Sequence, residues 1–183
     1  MQKTVKAAAI CSTAVFIIAV CFYIYFKLDI FCTLAITFGT TAYHFCMRFA
    51  VGYFVNKNMN NRADYTKRRY QLLPFEKKLY RVLHVKQWKN HMPTYDPGLF
   101  SPKLHSWDEI AQAMCQAETV HEIIVLFSFF PIVFAIWFGT LPVFVCTSFA
   151  AAIFDGMLVI MQRYNRPRVI QLAQKAKKRP SVR

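Results

Sequence analysis

The sequence predicts an all-α integral membrane protein with four transmembrane helices, and three observations support this fold class. Hydrophobic residues make up 56% of the 183-residue chain. Charged residues make up only 17%, below the roughly 25% that is usual for soluble domains. The apolar residues form four long runs, with most Lys and Arg residues between or after them. The net charge of +14 could also suit nucleic acid, but the apolar runs favour a membrane, and we expect no nucleic-acid partner.

The first two predicted spans and a short basic leader occupy residues 1–54. Residues 7–26 carry no charge, and at about 1.5 Å per residue they reach about 30 Å, the thickness of one hydrocarbon core. No small-residue cleavage site precedes Lys27, so we interpret this segment as an anchor and not as a removed signal peptide. After a tight turn at 27–29, residues 30–54 form the second predicted span.

Two further spans are predicted within residues 123–161. The third covers 123–138, and Pro131 inside it predicts a kink, because proline removes a helical hydrogen bond. The fourth begins at Pro142, which suits the first turn of a helix, and extends to residue 161. Pro167 disfavours a helical conformation at the residue before it, so we expect the helix to end at Arg166.

The distribution of positive charge predicts the orientation of these spans. The loop over 55–122 carries eleven Lys or Arg residues, and the tail over 162–183 carries eight and no acid. With four spans, the loop, the tail and the leader share one side, which the positive-inside rule makes cytoplasmic. We therefore expect a multi-pass cell-membrane protein with both termini cytoplasmic and with its functional site at or just within the cytoplasmic membrane surface.

The loop contains two helix signals. Residues 74–84 resemble a short amphipathic helix, with Phe75, Leu79 and Val82 on one face and basic residues elsewhere; such an interfacial helix would lie on an anionic membrane surface. Ser106 and Glu109 form a capping box, and the helix that starts there should continue unbroken into the third span.

Ionisable residues near the ends of the spans need an explanation. His44 and Arg48 share one face of the second span, and Asp155 lies in the fourth. Because an unpaired Asp in hydrocarbon costs about 2.5–3.5 kcal/mol, Asp155 should find a partner, with Arg48 or His44 as the candidates. The three residues are either a buried polar pocket that opens to the cytoplasm or an ion pair that fixes helix packing.

Glu118 and His121 lie one helical turn apart. A histidine with a carboxylate at this spacing could act as a general base with its orienting partner. E-x-x-H is also half of a di-iron motif, but that site needs a second copy, which the sequence lacks. No CxxC occurs either, so we expect no metal and no bound cofactor. His91 and Asp96 match the H-x-x-x-x-D spacing of soluble acyltransferase domains, but two residues match easily by chance.

The segment QRYNRPR at 162–168 is the densest motif. Because the fourth helix is expected to end here, Arg163, Arg166 and Arg168 should lie together at the membrane surface. Guanidinium groups bind phosphate through two parallel hydrogen bonds. A positive-inside stop signal explains the lysines near 175–179, but it does not explain the Tyr164, Asn165 and Pro167 placed among the arginines.

Three segments together resemble a known family: VKQWK at 85–89, A-E-x-x-H at 117–121 and QRYNRPR at 162–168. Their order and spacing are similar to those of the glycosyl-4,4'-diaponeurosporenoate acyltransferases of the staphyloxanthin pathway, over about residues 75–174. The resemblance implies transfer of a fatty acyl group to a hydroxyl, in that pathway on the sugar of a glycosylated carotenoid. The motif residues are Trp88, Lys89, Glu118, His121, Gln162, Arg163, Tyr164, Asn165, Arg166, Pro167 and Arg168.

The leading hypothesis is therefore a membrane acyltransferase. His121 would take the proton from a hydroxyl of a lipid or glycolipid, and Glu118 would orient the imidazole. The motif residues Trp88, Lys89, Gln162, Arg163, Tyr164, Asn165, Arg166 and Arg168 would bind substrate, with the cationic ones holding the phosphates of acyl-CoA or the acidic surface of an acyl carrier protein.

Two alternatives remain open from sequence. One is a non-catalytic four-span subunit or scaffold that binds anionic lipid or a protein partner. The other is a different group transfer on a lipid, such as methylation. The expected partners are membrane lipids and an acyl donor. The small size is also compatible with a homodimer, although no GxxxG motif supports one.

Overall fold

The computed structural model describes residues 2–178, and within this range the chain forms helices and no strands. Seven α-helices follow one another: α1 (Gln2–Phe26), α2 (Asp29–Met59), α3 (Glu76–Val82), α4 (Val85–Trp88), α5 (Trp107–Phe127), α6 (Ala135–Phe138) and α7 (Leu141–Lys178). Four helical segments are long and apolar enough to cross a membrane, namely α1, α2, Trp107–Phe138 and α7. The predicted all-α class is confirmed for the described residues, and four helical segments have the length and composition that the predicted spans require. The cytoplasmic position of both termini stays a prediction. Residues 179–183 of the predicted basic tail lie outside the described range.

The chain divides into two compact units. The first contains residues 2–53 and 123–155 and holds most of the apolar runs. Its surface exposes large apolar side chains, including Ile10 at 69% and Ile136 at 80%, as expected where lipid replaces water. Within this unit α1 and α2 approach closely at Gly39, where a Cβ atom would lie 3.0 Å from the Phe16 ring.

The third span differs from the expected kinked helix. Helix α5 ends at Phe127, a 3-10 helix covers Phe130–Phe134, and α6 follows directly. Pro131 lies in the first turn of the 3-10 segment. Because proline has no N–H, it is tolerated at such a helix start, and the chain restarts its hydrogen-bond pattern here instead of bending one helix.

The expected end of the fourth helix at Arg166 is wrong. Helix α7 runs without interruption from Leu141 to Lys178 and contains Pro167. Proline removes one backbone hydrogen bond and crowds the preceding turn, at a cost of about 3 kcal/mol. Arg163 and Arg166, which precede this proline, are both tied to other elements by side-chain hydrogen bonds. These tertiary contacts offset the local penalty.

The second unit contains residues 54–122 and 156–178. Helix α2 ends here because Asn60 and Asn61 both adopt left-handed backbone conformations, with φ of 44° and 54°, which asparagine tolerates better than most residues. The predicted capping box is confirmed: the Ser106 hydroxyl accepts from the Glu109 N–H at 3.3 Å, and the Ser106 N–H donates to Glu109 Oε2 at 2.8 Å.

Helix α3 covers less of the predicted amphipathic segment than expected. Its bounds are Glu76–Val82 rather than 74–84, and its apolar face remains exposed, with Phe75 at 62% and Val82 at 66%. Contact of this face with a membrane stays a prediction.

Candidate functional site

Glu118 on α5 is the centre of a buried ion-pair network in the second unit. Its side chain is fully buried, and each carboxylate oxygen accepts from a different arginine of α7. Arg163 Nη1 donates to Glu118 Oε1 at 2.5 Å, and Arg166 Nη1 donates to Glu118 Oε2. A charge is tolerated away from water only when it is paired and hydrogen-bonded, and the two guanidinium groups meet both conditions.

Arg163 connects this carboxylate to a second one. Its Nε donates to Glu76 Oε1 on α3 at 2.6 Å, and its terminal nitrogens donate to the carbonyl oxygens of Arg69 and Gln71 at 2.9 and 3.1 Å. Glu76 is also buried, and its other carboxylate oxygen accepts from the Leu73 N–H at 3.0 Å. Arg163 therefore ties α7 both to α3 and to the loop that precedes α3.

Arg166 is the most deeply buried cation of the network, with 1% of its surface exposed. Its Nε and Nη2 donate to the Tyr70 carbonyl oxygen at 3.1 and 2.6 Å. Its guanidinium carbon lies 5.3 Å from the centre of the Tyr70 ring, a cation–π distance. The expectation that the arginines of QRYNRPR lie together at the surface is therefore wrong for Arg166.

Lys89 forms a second group of contacts with α7. Its Nζ donates to Asn165 Oδ1 at 2.6 Å and lies 4.9 Å from the centre of the Tyr164 ring. Burial lowers the pKa of Lys89, and the positive charges of Arg168 and Lys86 lower it further. Lys89 is thus a partly desolvated cation in a positively charged environment.

Tyr80 on α3 lies beside this second group. Its ring meets the Tyr164 ring edge to face, with centroids 5.6 Å apart. The Tyr80 hydroxyl is buried beside the charged side chains of Glu76 and Arg163. Burial, together with the charge of Glu76, raises the pKa of Tyr80 to about 12, so the hydroxyl stays neutral at physiological pH.

These contacts bring together residues that lie far apart in the sequence, and all of these residues fall within the range that a comparison with protein families matches. A family model described as glycosyl-4,4'-diaponeurosporenoate acyltransferase matches residues 61–175, well over half of the chain. The chain belongs to this acyltransferase family. No curated protein and no solved structure matches it significantly. The resemblance inferred from three short motifs is confirmed, as is the expectation of an enzyme.

The remaining motif residues of the acyltransferase lie near these two groups. His121 is half-buried one turn after Glu118 on α5, Gln162 is buried, and Arg168 is exposed on α7. The Trp88 indole N–H donates to the Leu83 carbonyl oxygen at 2.9 Å, which fastens α4 to the end of α3. Their roles in substrate binding or catalysis stay predictions, as does the pairing of Glu118 with His121.

Within the first unit, ionisable side chains also form a cluster. Arg48 pairs with Asp155 through Nη2 and Oδ2, and its Nη1 donates to the His44 carbonyl oxygen at 2.9 Å. The expectation that Asp155 finds Arg48 is confirmed. Both ring nitrogens of His44 are buried without a hydrogen-bond partner among the described residues. That His44, Arg48 and Asp155 form a polar pocket open to the cytoplasm stays a prediction, as does the alternative of an ion pair that fixes helix packing.

Sequence reasoning did not assign Glu76 or Tyr70 to the site of the acyltransferase. Glu76 could have been recognised from the sequence, because it is one of only nine acidic residues and lies in the basic segment PFEKKLYR. An acid in such a segment suggests a specific cationic partner. No sequence pattern pointed to Tyr70, whose main contribution to the site is a backbone carbonyl oxygen that accepts two hydrogen bonds from Arg166. Within residues 2–178 no group of three His, Cys, Asp or Glu side chains is placed to hold a metal ion.

Proposed function

We propose that this acyltransferase moves a fatty acyl group from a thioester donor to a hydroxyl of a lipid or glycolipid acceptor at the cytoplasmic membrane surface. The observation that carries the proposal is the family match over residues 61–175, which includes every residue of the Glu118 network and of the Lys89 contacts. Four helices long enough to cross a membrane favour an acceptor that resides in the bilayer. The basic loop and tail favour the cytoplasmic side.

His121 is the general base of this proposal. The acceptor oxygen would attack the thioester carbonyl carbon while His121 removes the hydroxyl proton. The carbon–sulfur bond then breaks, and the departing sulfur takes the proton from the imidazolium, so the products are an ester and a free thiol. Histidine suits both transfers because its pKa lies close to neutral pH.

The position of His121 on α5 supports this assignment. Three residues earlier, Glu118 is held by Arg163 and Arg166, so the backbone that carries His121 is anchored to α7. Rigid support of a catalytic side chain keeps it within the narrow range of geometry that a reaction requires. In this proposal Glu118 is chiefly a positioning residue, because both of its oxygens already accept from arginines.

The proposed function is tested by mass spectrometry of total lipids. Cells that lack the protein are compared with cells restored with wild type, His121→Ala or His105→Ala. His105 is a matched control, because it is a second histidine of the polar stretch 55–122, lies outside the Glu118 network and is 3.9 Å from the exposed Glu109. We expect one acylated lipid to disappear on deletion and to return with wild type and His105→Ala only.

The mass of that lipid would identify both the acyl chain and the acceptor. Full restoration by His121→Ala, at equal protein level, would refute the catalytic assignment of His121. The absence of any lipid change on deletion would count against acyl transfer to a lipid altogether.

A further inference from the structure

The positive charges of the family motifs fall into two classes in the second unit. Arg163 and Arg166 are neutralised inside the protein by Glu118 and Glu76. Lys86, Lys89 and Arg168 form no ion pair with any acidic side chain within residues 2–178. The second class therefore carries positive charge that the described part of the protein leaves uncompensated.

The three cations of the second class converge on one place. Lys89 contacts Asn165 and Tyr164 of α7. Arg168 follows Asn165 by three residues and Tyr164 by four, so it lies on the same face of α7 one turn further on. Lys86 precedes Lys89 by three residues, about one turn earlier in the helical segment that runs from α4 through Lys89–His91.

Such convergence is unfavourable for the protein alone. Like charges near one another repel, and a partly buried ammonium also loses hydration. The lowered pKa of Lys89 reflects both effects. A site that holds several cations together without acids gains stability when an anion binds between them.

We propose that Lys86, Lys89 and Arg168 form the site for the phosphate groups of the acyl donor, a phosphopantetheine thioester. This inference rests on the proposed acyl transfer and names its donor. Arg168 supplies a guanidinium fork that suits phosphate oxygens, and Lys89 supplies a point charge. Asn165 and the Tyr164 ring hold the Lys89 ammonium in place. Arg163 and Arg166, in contrast, support the site from inside and do not touch the donor.

The test is a direct binding measurement that does not depend on turnover. Coenzyme A is titrated into the full-length protein in nanodiscs, and the Kd is compared for wild type, Lys89→Ala, Arg168→Ala and the surface control Lys103→Ala. Since a hydrogen bond to a charged group contributes about 1.5–3 kcal/mol, each site variant should bind about 10- to 100-fold more weakly. Lys103→Ala should bind as wild type does.

Arg168→Ala should leave the fold intact, because Arg168 is exposed and forms no ion pair within the described residues. Weaker binding by this variant therefore reports on the site and not on misfolding. His121→Ala should bind coenzyme A with the wild-type Kd, which separates a failure of the donor site from a failure of the catalytic assignment. Coenzyme A binding that is unchanged in both Lys89→Ala and Arg168→Ala would overturn the site.

Two further probes identify the source of the phosphate. Pantetheine, which lacks phosphate, should bind wild type at least as weakly as coenzyme A binds the site variants. Palmitoyl-coenzyme A and the palmitoyl thioester of acyl carrier protein share the phosphopantetheine phosphate, and the one with the larger kcat/KM is the donor. Equal binding of pantetheine and coenzyme A to wild type would contradict phosphate recognition.

Discussion

Replacement of Glu118 by glutamine should destabilise the acyltransferase by about 3–5 kcal/mol, the usual cost of removing one member of a buried ion pair. Glutamine preserves the shape of the side chain but removes its charge. Arg163 would keep its bond to Glu76 Oε1. Arg166 would keep its contacts with the carbonyl oxygen and the ring of Tyr70, but a cation that is 1% exposed would lose its counter-ion.

The neighbouring acid on α5 is a matched control. Glu122 pairs with Arg69 at 2.8 Å, but the two side chains are 39% and 52% exposed. Exposed pairs contribute about 1 kcal/mol or less, because water and salt screen them. Glu122→Gln should therefore change the free energy of unfolding much less than Glu118→Gln, although both substitutions remove one negative charge from the same helix.

The assay is equilibrium unfolding of the purified protein in detergent micelles, followed by the fluorescence of its three tryptophans. A double-mutant cycle with Glu118→Leu and Arg166→Met isolates the interaction between the pair. We expect the double variant to be more stable than the sum of the single effects predicts, because neither charge is then left alone. Equal destabilisation by Glu118→Gln and Glu122→Gln, together with additive single effects, would refute the buried-pair reasoning.

Two other predictions address helix packing and pH. Gly39→Leu should lower the free energy of unfolding by about 1–3 kcal/mol through overpacking, because its Cβ would lie 3.0 Å from the Phe16 ring. Gly52→Leu is the control and should be neutral, because a Cβ at Gly52 meets nothing within 4 Å. Thermal unfolding of both variants measures the difference, and equal melting temperatures would contradict the prediction. Because the pKa of Lys89 lies below that of an ordinary lysine, coenzyme A binding should weaken as pH rises through that lowered value. Lys89→Arg should move the loss to higher pH, and identical pH profiles for the two proteins would exclude Lys89 as the titrating group.

Local patterns were enough to predict most of the helices. Each membrane span depends on the apolar composition of its own segment, and the capping box depends on two residues three positions apart. The order of the short motifs also indicated the acyltransferase family before any spatial arrangement was known. These features could be predicted because the interactions that create them lie within a few residues of one another.

Side-chain contacts between distant segments could not be predicted from local sequence patterns. Asp155 had two candidate partners, and only the packing of α2 and α7 within the first unit selected Arg48. Pro167 predicted a helix end on local grounds, yet α7 continues, because contacts of Arg163 and Arg166 with distant residues outweigh the local cost.

The sequence by itself determined that the chain is an all-helical, basic membrane protein and which short motifs it carries. The tertiary structure decided which of the charged motif residues form buried ion pairs and which remain exposed. Arg163, Arg166 and Arg168 are the same residue type within six positions, but two meet buried carboxylates and one remains exposed. The physical reason is that a charge is neutralised by whatever the fold brings within about 4 Å, and those neighbours lie tens of residues away along the chain.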